Sequence, residues 1–256
     1  MTELTKIVLI LEYDGTNYYG FQLQANQPTL QAELEKAIWK LTGERRRVIS
    51  ASRTDAGVHA KGQVVSFRTA SILRTENFVK GLNFYLPGDI SVRAAFRVSE
   101  AFNVRRDAVS REYYYYILNR PTRSAIQGFA YLVSGKLNID LMNQAAQALV
   151  GKHDFTSFVT SLKPSIKNTV REVYQVEFKR DGDLITFSMV ADSFLPHQVR
   201  NTVGALLKVG TGKMTADEFK KVLEAKKPGF AGPTMPACGL CLMRVNYPSP
   251  LEEICN

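Results

Sequence analysis

At 256 residues, 45% of them hydrophobic and 22% charged, the chain has the make-up of a soluble globular protein of one or two domains. Lysine and arginine outnumber aspartate and glutamate by 33 to 24, a net charge of +9, which points to a polyanionic partner: nucleic acid or an anionic membrane face. No apolar run approaches the ~20 residues of a membrane span, and the first residues lack a signal-peptide pattern, so a cytoplasmic protein is expected.

Residues 6–13 form an apolar run that predicts a buried strand, followed by a turn at Asp14-Gly15-Thr16-Asn17. Residues 18–24 are expected to expose aromatic and amide side chains on a loop. Thr29 is placed to cap a helix carrying Leu30, Leu34, Ile38 and Leu41 on one stripe and ending at Gly43. Arg45, Arg46 and Arg47 then make a solvated or phosphate-facing patch. Strand-like runs at 47–51 and 63–67 flank a loop rich in polar residues. A helix at 75–85 stops before Pro87-Gly88, and a strand follows at 90–98.

Residues 111–119, with four consecutive tyrosines, have strand composition. Asp140 is expected to cap a helix reaching Val150, with Gly151 as its stop. Residues 170–180 and 184–190 flank Asp181-Gly182, a hairpin signal. A helix is expected over 197–209, ended by Gly210, then a capping box at Thr215 and Glu218, and a last strand over 239–245. The order of strand, helix and strands thus occurs twice, dividing near residue 105. The expectation is an α+β protein of two similar domains, 1–105 and 106–256, each an antiparallel or mixed sheet with helices on one face.

No Rossmann or P-loop glycine pattern is present, so no nucleotide cofactor is expected. Cys238 and Cys241 have metal or redox spacing. A zinc site needs two further ligands, and only Cys255 and three scattered histidines remain, so no metal is expected.

The loop between the strand-like runs reads Ser52-Arg53-Thr54-Asp55-Ala56-Gly57-Val58-His59-Ala60-Lys61-Gly62-Gln63. Loops held between rigid strands are where binding and catalytic groups concentrate. Arg53 and Asp55, two apart, would point the same way in extended geometry. On composition alone the stretch reads first as a solvated turn with Asp55 bonded to its own backbone, and it is the wording that reverses this. The wording Arg53-Thr54-Asp55-Ala56-Gly57-Val58-His59-Ala60 closely resembles the signature of the tRNA pseudouridine synthase A family. Many members have glycine where this chain has Ser52. Further segments resemble that family: Glu12 to Gln22, with Phe21 where tryptophan is common; Arg111-Glu112-Tyr113-Tyr114-Tyr115; His197-Gln198-Val199-Arg200-Asn201-Thr202-Val203-Gly204; and the short Gly239-Leu240.

The resemblance implies a pseudouridine synthase fold with an active-site cleft between its two domains. It implies Asp55 as the catalytic nucleophile, Tyr113 against the target base, and Arg200 as the cation paired with the aspartate. Arg53 would fill the space vacated by a flipped base or hold its phosphate, and Leu240 would contribute an apolar wall. His59, Gln63 and His197, within the same motifs, join these as candidate substrate-binding residues. No cofactor and no metal are implied, because the isomerisation neither gains nor loses atoms. The implied partner is the anticodon arm of tRNA, at uridines 38, 39 and 40, and the implied assembly is a homodimer.

Each residue also has a plain structural reading. A tyrosine-rich strand can be simply core, and an arginine on a helix can cover a surface with its stem. Arg200, His197 and Gly204 share one helix face, and Gly204 there permits close approach of another element. His153 and Asp154 read as scaffold. Two rival functions stand beside the synthase: a non-catalytic RNA-binding protein or tRNA-folding chaperone on the same scaffold, and a glycoside- or nucleoside-cleaving hydrolase. The hydrolase would want a second carboxylate, and the motif supplies only Asp55.

Overall fold

The computed structural model describes residues 4–125, 128–162, 164 and 166–254. It divides into two compact units, one made of residues 1–110 with 242–256, the other of 111–241. The C-terminal segment therefore returns to the first unit.

In the first unit, β1 (Thr5–Tyr13) is central. It is followed by α1 (Leu30–Thr42), β2 (Ile49–Ser50), β3 (His59–Thr69), α2 (Thr75–Tyr85) and β4 (Ile90–Val98). β1 pairs antiparallel with β3, in a register that sets Lys6 opposite Arg68 and Tyr13 opposite Ala60, and with β4 on its other edge. Ile7, Val8, Leu9 and Leu11 are buried, which explains the continuous apolar run. The expected caps of α1 are present: Thr29 Oγ1 accepts from the Ala32 amide, and Gly43 donates to Trp39 O at 2.8 Å. Of the strand-like run 47–51, Ile49–Ser50 forms the strand, set against Ser66 and Val65 of β3.

The second unit contains β5 (Ser110–Leu118), whose first residue belongs to the first unit, β6 (Tyr131–Leu132), α3 (Ile139–Ala146), β7 (Gly151–Asp154), β8 (Val170–Asp181), β9 (Leu184–Ala191), α4 (Gln198–Gly210) and α5 (Ala216–Glu224). Its strand order is β5-β9-β8-β7, all antiparallel, and the short β6 pairs with β5 in parallel. The chain is a mixed α+β protein, as expected. The hairpin at Asp181-Gly182 and the capping box of Thr215 and Glu218 form as the sequence predicts.

Three local expectations are corrected. The cap of α3 is Asn138, whose Oδ1 accepts from the Leu141 amide at 3.0 Å; Asp140 lies inside the first turn. That helix gives way to a 3-10 turn at Gln147–Leu149, and Gly151 opens an edge strand that was not foreseen. Tyr18 and Phe21 are buried rather than displayed, leaving Tyr19 exposed.

The last strand, β10 (Leu240–Asn246), is preceded by a 3-10 turn that includes Cys238 and Gly239. From Leu242 onward it belongs to the first unit, beside β3, and α6 (Leu251–Ile254) closes the described chain. Among the described residues no group of histidine, cysteine, aspartate and glutamate could hold a metal ion, and no helix is long and apolar enough to cross a membrane. Cys255 lies outside the described residues.

Candidate active site

The Asp55 loop is built from both of its flanks. On one side the Ala51 amide continues the ladder to Val64 O at 2.8 Å. Gln63, wholly buried on β3, reaches across the loop: its Nε2 donates to Ser52 O at 2.8 Å and its Oε1 accepts from the Ser52 amide at 3.3 Å. The same Nε2 stands 3.4 Å from the Tyr13 hydroxyl, which shares a 2.8 Å hydrogen bond with Thr54 Oγ1. The carboxamide of Gln63 is thus engaged in holding the loop's entry.

On the other side the segment after β1 grips the backbone around Asp55. The Phe21 amide donates to Thr54 O at 3.0 Å, and the Gly57 amide donates to Tyr18 O at 3.1 Å. The Val58 amide closes a turn on Asp55 O at 3.2 Å. Gly20, at φ 90°, is required here twice over: its backbone conformation is one L-residues rarely adopt, and a Cβ would lie 2.8 Å from Thr54 O. Tyr18 is fixed in turn, its hydroxyl donating to Asp89 Oδ1 at 2.6 Å. Burial alternates along the loop, with Arg53 exposed, Thr54 buried and Asp55 half-buried. Arg53 and Asp55 therefore stay towards solvent while Thr54 faces inward.

His59 opens β3 and is nearly buried. Its Nδ1 is 3.2 Å from the Gly15 amide and 3.0 Å from Asp14 Oδ1. Unprotonated, that nitrogen accepts from Gly15; protonated, it donates to Asp14. Burial pushes the Asp14 carboxyl up, but hydrogen bonds from Thr16 and the His59 charge outweigh it, and the net position is below the ordinary aspartate value. His59 therefore ties the turn after β1 to the end of the Asp55 loop.

The remaining candidates lie in the second unit. On β5, Tyr113, Tyr115 and Ile117 are buried while Tyr114 and Tyr116 are half-buried, the two-residue alternation read from the sequence. Tyr113 stands opposite Met189 and meets the edge of Phe194 at 5.1 Å. The Tyr115 hydroxyl donates to Pro236 O at 2.8 Å, and burial raises its pKa well above the ordinary tyrosine value.

Arg200 sits in the first turn of α4, half-buried, with Nε donating to Met235 O at 2.6 Å. One turn on, Gly204 leaves room for the same segment: a Cβ there would be 2.9 Å from Pro233 O. The close approach expected at Gly204 is thus made by residues 233–235. His197, at φ 62°, precedes α4, and its Nδ1 shares a 3.0 Å hydrogen bond with Thr160, whose hydroxyl also reaches Thr234 at 3.2 Å. Arg200, His197 and Gly204 therefore converge on one stretch of chain. Leu240 is buried at the start of β10.

Sequence reasoning missed the residues that hold these groups: Tyr13, Thr54 and Gly20 in the first unit, and Met235 and Pro236 in the second. Thr54 carried a legible signal, since the residue between two outward side chains on an extended stretch must face inward. Backbone carbonyls such as those of Met235 and Pro236 leave no mark in residue identity.

The arrangement presents one carboxylate on a rigid loop, with no second acid beside it in the motif, and elsewhere an aromatic strand and an anchored arginine. Comparison with known proteins finds relatives over nearly the whole chain. A family model described as tRNA pseudouridine synthase matches residues 9–107 and 145–248. A protein of Clostridium acetobutylicum named tRNA pseudouridine synthase A is 42% identical over 245 residues, covering 95% of this chain and 100% of its own. Proteins of the same name from Acetivibrio thermocellus, 42% identical with coverage of 95% and 100%, and Methylacidiphilum infernorum, 41% identical with coverage of 96% and 96%, are similar to the same extent. With the model matching most of its length and relatives spanning nearly all of it, the chain belongs to the tRNA pseudouridine synthase family.

Proposed function

We propose that this protein is an isomerase that converts uridine to pseudouridine in tRNA, acting on positions 38, 39 and 40 of the anticodon arm as a cytoplasmic homodimer. The observation that carries the reading is the Asp55 loop itself. Backbone hydrogen bonds to Thr54 O and from Val58 bracket a half-buried carboxylate that the motif resemblance identifies as the nucleophile. A catalytic group must be held near its productive geometry, and fixing the backbone on both sides of Asp55 does this.

In the reaction the N1–C1′ bond of uridine breaks, the base turns, and a C5–C1′ bond forms. The C5 proton leaves to solvent and N1 ends protonated, so the product is an isomer and no external oxidant or reductant takes part. The Asp55 carboxylate serves as nucleophile or as base at the sugar. The target base must first leave its stack. Tyr113 is the proposed aromatic partner of the extruded uracil, a contact worth about 1–3 kcal/mol, and Arg53, exposed beside the nucleophile, the proposed occupant of the vacated space. Arg200 is proposed to keep Asp55 ionised. His59 and Gln63 act through the loop they hold, His197 through the segment it shares with Arg200, and Leu240 is proposed to contribute an apolar wall.

The test is tritium release from unmodified tRNA labelled at C5 of uridine, comparing wild type with Asp55→Asn. Release by wild type alone supports both the reaction and the residue. Binding of the tRNA by both proteins without release from either would favour an RNA-binding role, free uracil in the supernatant would favour a hydrolase, and release from both would remove Asp55 from its assigned role.

A further inference from the structure

Away from the Asp55 loop, the first unit carries a second concentration of positive charge. A hollow of about 730 Å³ is lined by Lys6, Arg45, Arg46, Arg47, Arg68 and Arg106, with Glu100 as its one acidic lining residue, over an apolar floor that includes Ile49 and Phe102. An adjoining hollow of about 340 Å³ shares the three consecutive arginines and adds Glu35, Lys36 and Trp39. The two form one trough. Its place is fixed by the β1–β3 register: Lys6 pairs with Arg68 at one end of the ladder, Tyr13 with Ala60 at the other. Seven residue steps separate Lys6 from Tyr13, roughly 23 Å at ~3.3 Å per residue. The trough is therefore distinct from the catalytic loop, at the far end of the same strands.

Three of the cations there are exchangeable. Arg68 pairs with Glu100 at 2.7 Å, Arg47 with Glu35 at 3.6 Å and Arg106 with Asp107 at 2.7 Å, and these three arginines are well exposed to water. Solvent-exposed pairs of this kind are weak and give way readily to another anion. Among the described residues Arg45 has no acidic partner; its guanidinium lies 5.6 Å from the centroid of the Trp39 ring, and Trp39, the chain's one tryptophan, is 45% exposed. Arginines spaced along a trough beside an exposed aromatic and guanidinium plane suit a phosphodiester backbone with a stacking base.

We propose that this trough is a second contact for the RNA substrate. A stretch of its phosphodiester backbone runs along Arg45, Arg47 and Arg68, and an unpaired base rests against Trp39 and Arg45. The proposal builds on the reading of the protein as a tRNA-modifying enzyme and adds a site roughly 23 Å along the strands from the catalytic loop. It predicts that affinity comes partly from RNA well beyond the modified nucleotide.

The experiment measures binding of unmodified full-length tRNA across a salt series, using the full chain. Wild type is compared with the triple variant Arg45→Ala, Arg47→Ala, Arg68→Ala, with the same three positions changed to lysine, and with Trp39→Ala. Each lost phosphate contact lowers the slope of log affinity against log salt by about 0.7–0.9. The triple alanine variant should bind at least about tenfold more weakly, with a slope shallower by roughly 2–3. The lysine variant should regain the slope. Trp39→Ala should weaken binding about fivefold or more with the slope kept, as stacking rather than charge is removed. In turnover, the alanine variant should raise KM while kcat holds.

An unchanged affinity and slope in the triple alanine variant would overturn the proposal. So would a fall in kcat equal to the rise in KM, or capture of anionic lipid vesicles that these arginines govern while tRNA binding ignores them. Binding is read apart from turnover. A protein that binds tRNA through the trough yet isomerises nothing would sink the functional reading and leave this one standing.

Discussion

Gly15 and Val58 meet backbone to backbone: a Cβ on Gly15 would stand 2.0 Å from the Val58 carbonyl oxygen. The turn after β1 and the loop before β3 are thereby pressed together with no room for a side chain. Replacing Gly15 with alanine must move one of them. Overpacking of this kind costs about 1–3 kcal/mol, against a gain of about 0.4–1 kcal/mol from stiffening the unfolded chain. The steric term wins, and Gly15→Ala should lower the urea midpoint. Because Val58 also closes the turn on Asp55 O, turnover should fall about tenfold or more, equivalent to roughly 1.4 kcal/mol in the barrier. A variant with both the wild-type midpoint and wild-type tritium release would show that this contact does not position the loop.

Gly204 gives the corresponding test in the second unit. In an open helix, glycine to alanine gains about 1 kcal/mol. Here the added methyl would lie 2.9 Å from Pro233 O and 3.3 Å from the Met235 side chain. The segment must retreat, and the 2.6 Å bond from Arg200 Nε to Met235 O lengthens with it. We expect Gly204→Ala to be destabilised despite its better helix propensity, and Arg200→Lys, which keeps the charge and loses the Nε donor, to share its loss of turnover. Thermal unfolding and tritium release on both variants check this. A stabilised Gly204→Ala would mean that residues 233–235 yield at little cost.

Buried tyrosines contribute to the alkaline limit of stability. Burial raises the pKa of Tyr18, Tyr115 and Tyr116; the bond to Asp89 adds to the shift at Tyr18, and Tyr116 is pushed up to about 12. In the unfolded chain each ionises near its ordinary value of about 10. Above that pH the unfolded state loses protons that the folded state keeps, so stability is fully present below about pH 10 and falls as pH rises towards the folded values. Urea midpoints measured from about pH 8 to 11 should be flat at first and then decline. Tyr116→Phe should decline less steeply. An identical slope would take Tyr116 out of the linkage.

How much of this could be read in the sequence depends on whether the signal was local. The caps of α1, the capping box of α5 and the hairpin at Asp181-Gly182 each rest on residues a few positions apart, and each appears where expected. The buried alternation of Tyr113, Tyr115 and Ile117 was legible for the same reason. The contacts that shape the candidate site are not local. Gln63 meets Ser52 and Tyr13, Arg200 meets a carbonyl 35 residues away, and Gly15 is needed for a backbone 43 positions on, 58 minus 15. The motif wording pointed to these residues without saying what each one touches. Asn138 displaced Asp140 as the cap of α3 because both residue types cap well, and only the backbone path decides between them.

Glu44 offers the acid-side counterpart and a check on the arginine trough. Burial pushes its carboxyl up, but hydrogen bonds from Arg46 Nε at 2.7 Å, Thr69 Oγ1 at 2.8 Å and the Ala70 amide at 3.1 Å overcome this and hold it below the ordinary glutamate value. A carboxylate that is easier to ionise in the fold stabilises the fold above its unfolded pKa of about 4.3, and the contribution is lost as pH falls through the folded value. Glu44→Gln keeps the shape but removes the charge and part of the accepting capacity. It should cost about 1–3 kcal/mol near neutral pH, with the gap to wild type closing as pH falls from about 5 to 3. Urea unfolding at a series of acid pH values reads both. A gap that stays constant with pH would mean that Glu44 contributes by packing alone. A loosened Arg46, freed from its 2.7 Å partner, should at the same time leave the tRNA salt slope at least as steep as in wild type, since the cation remains and its acidic competitor is gone.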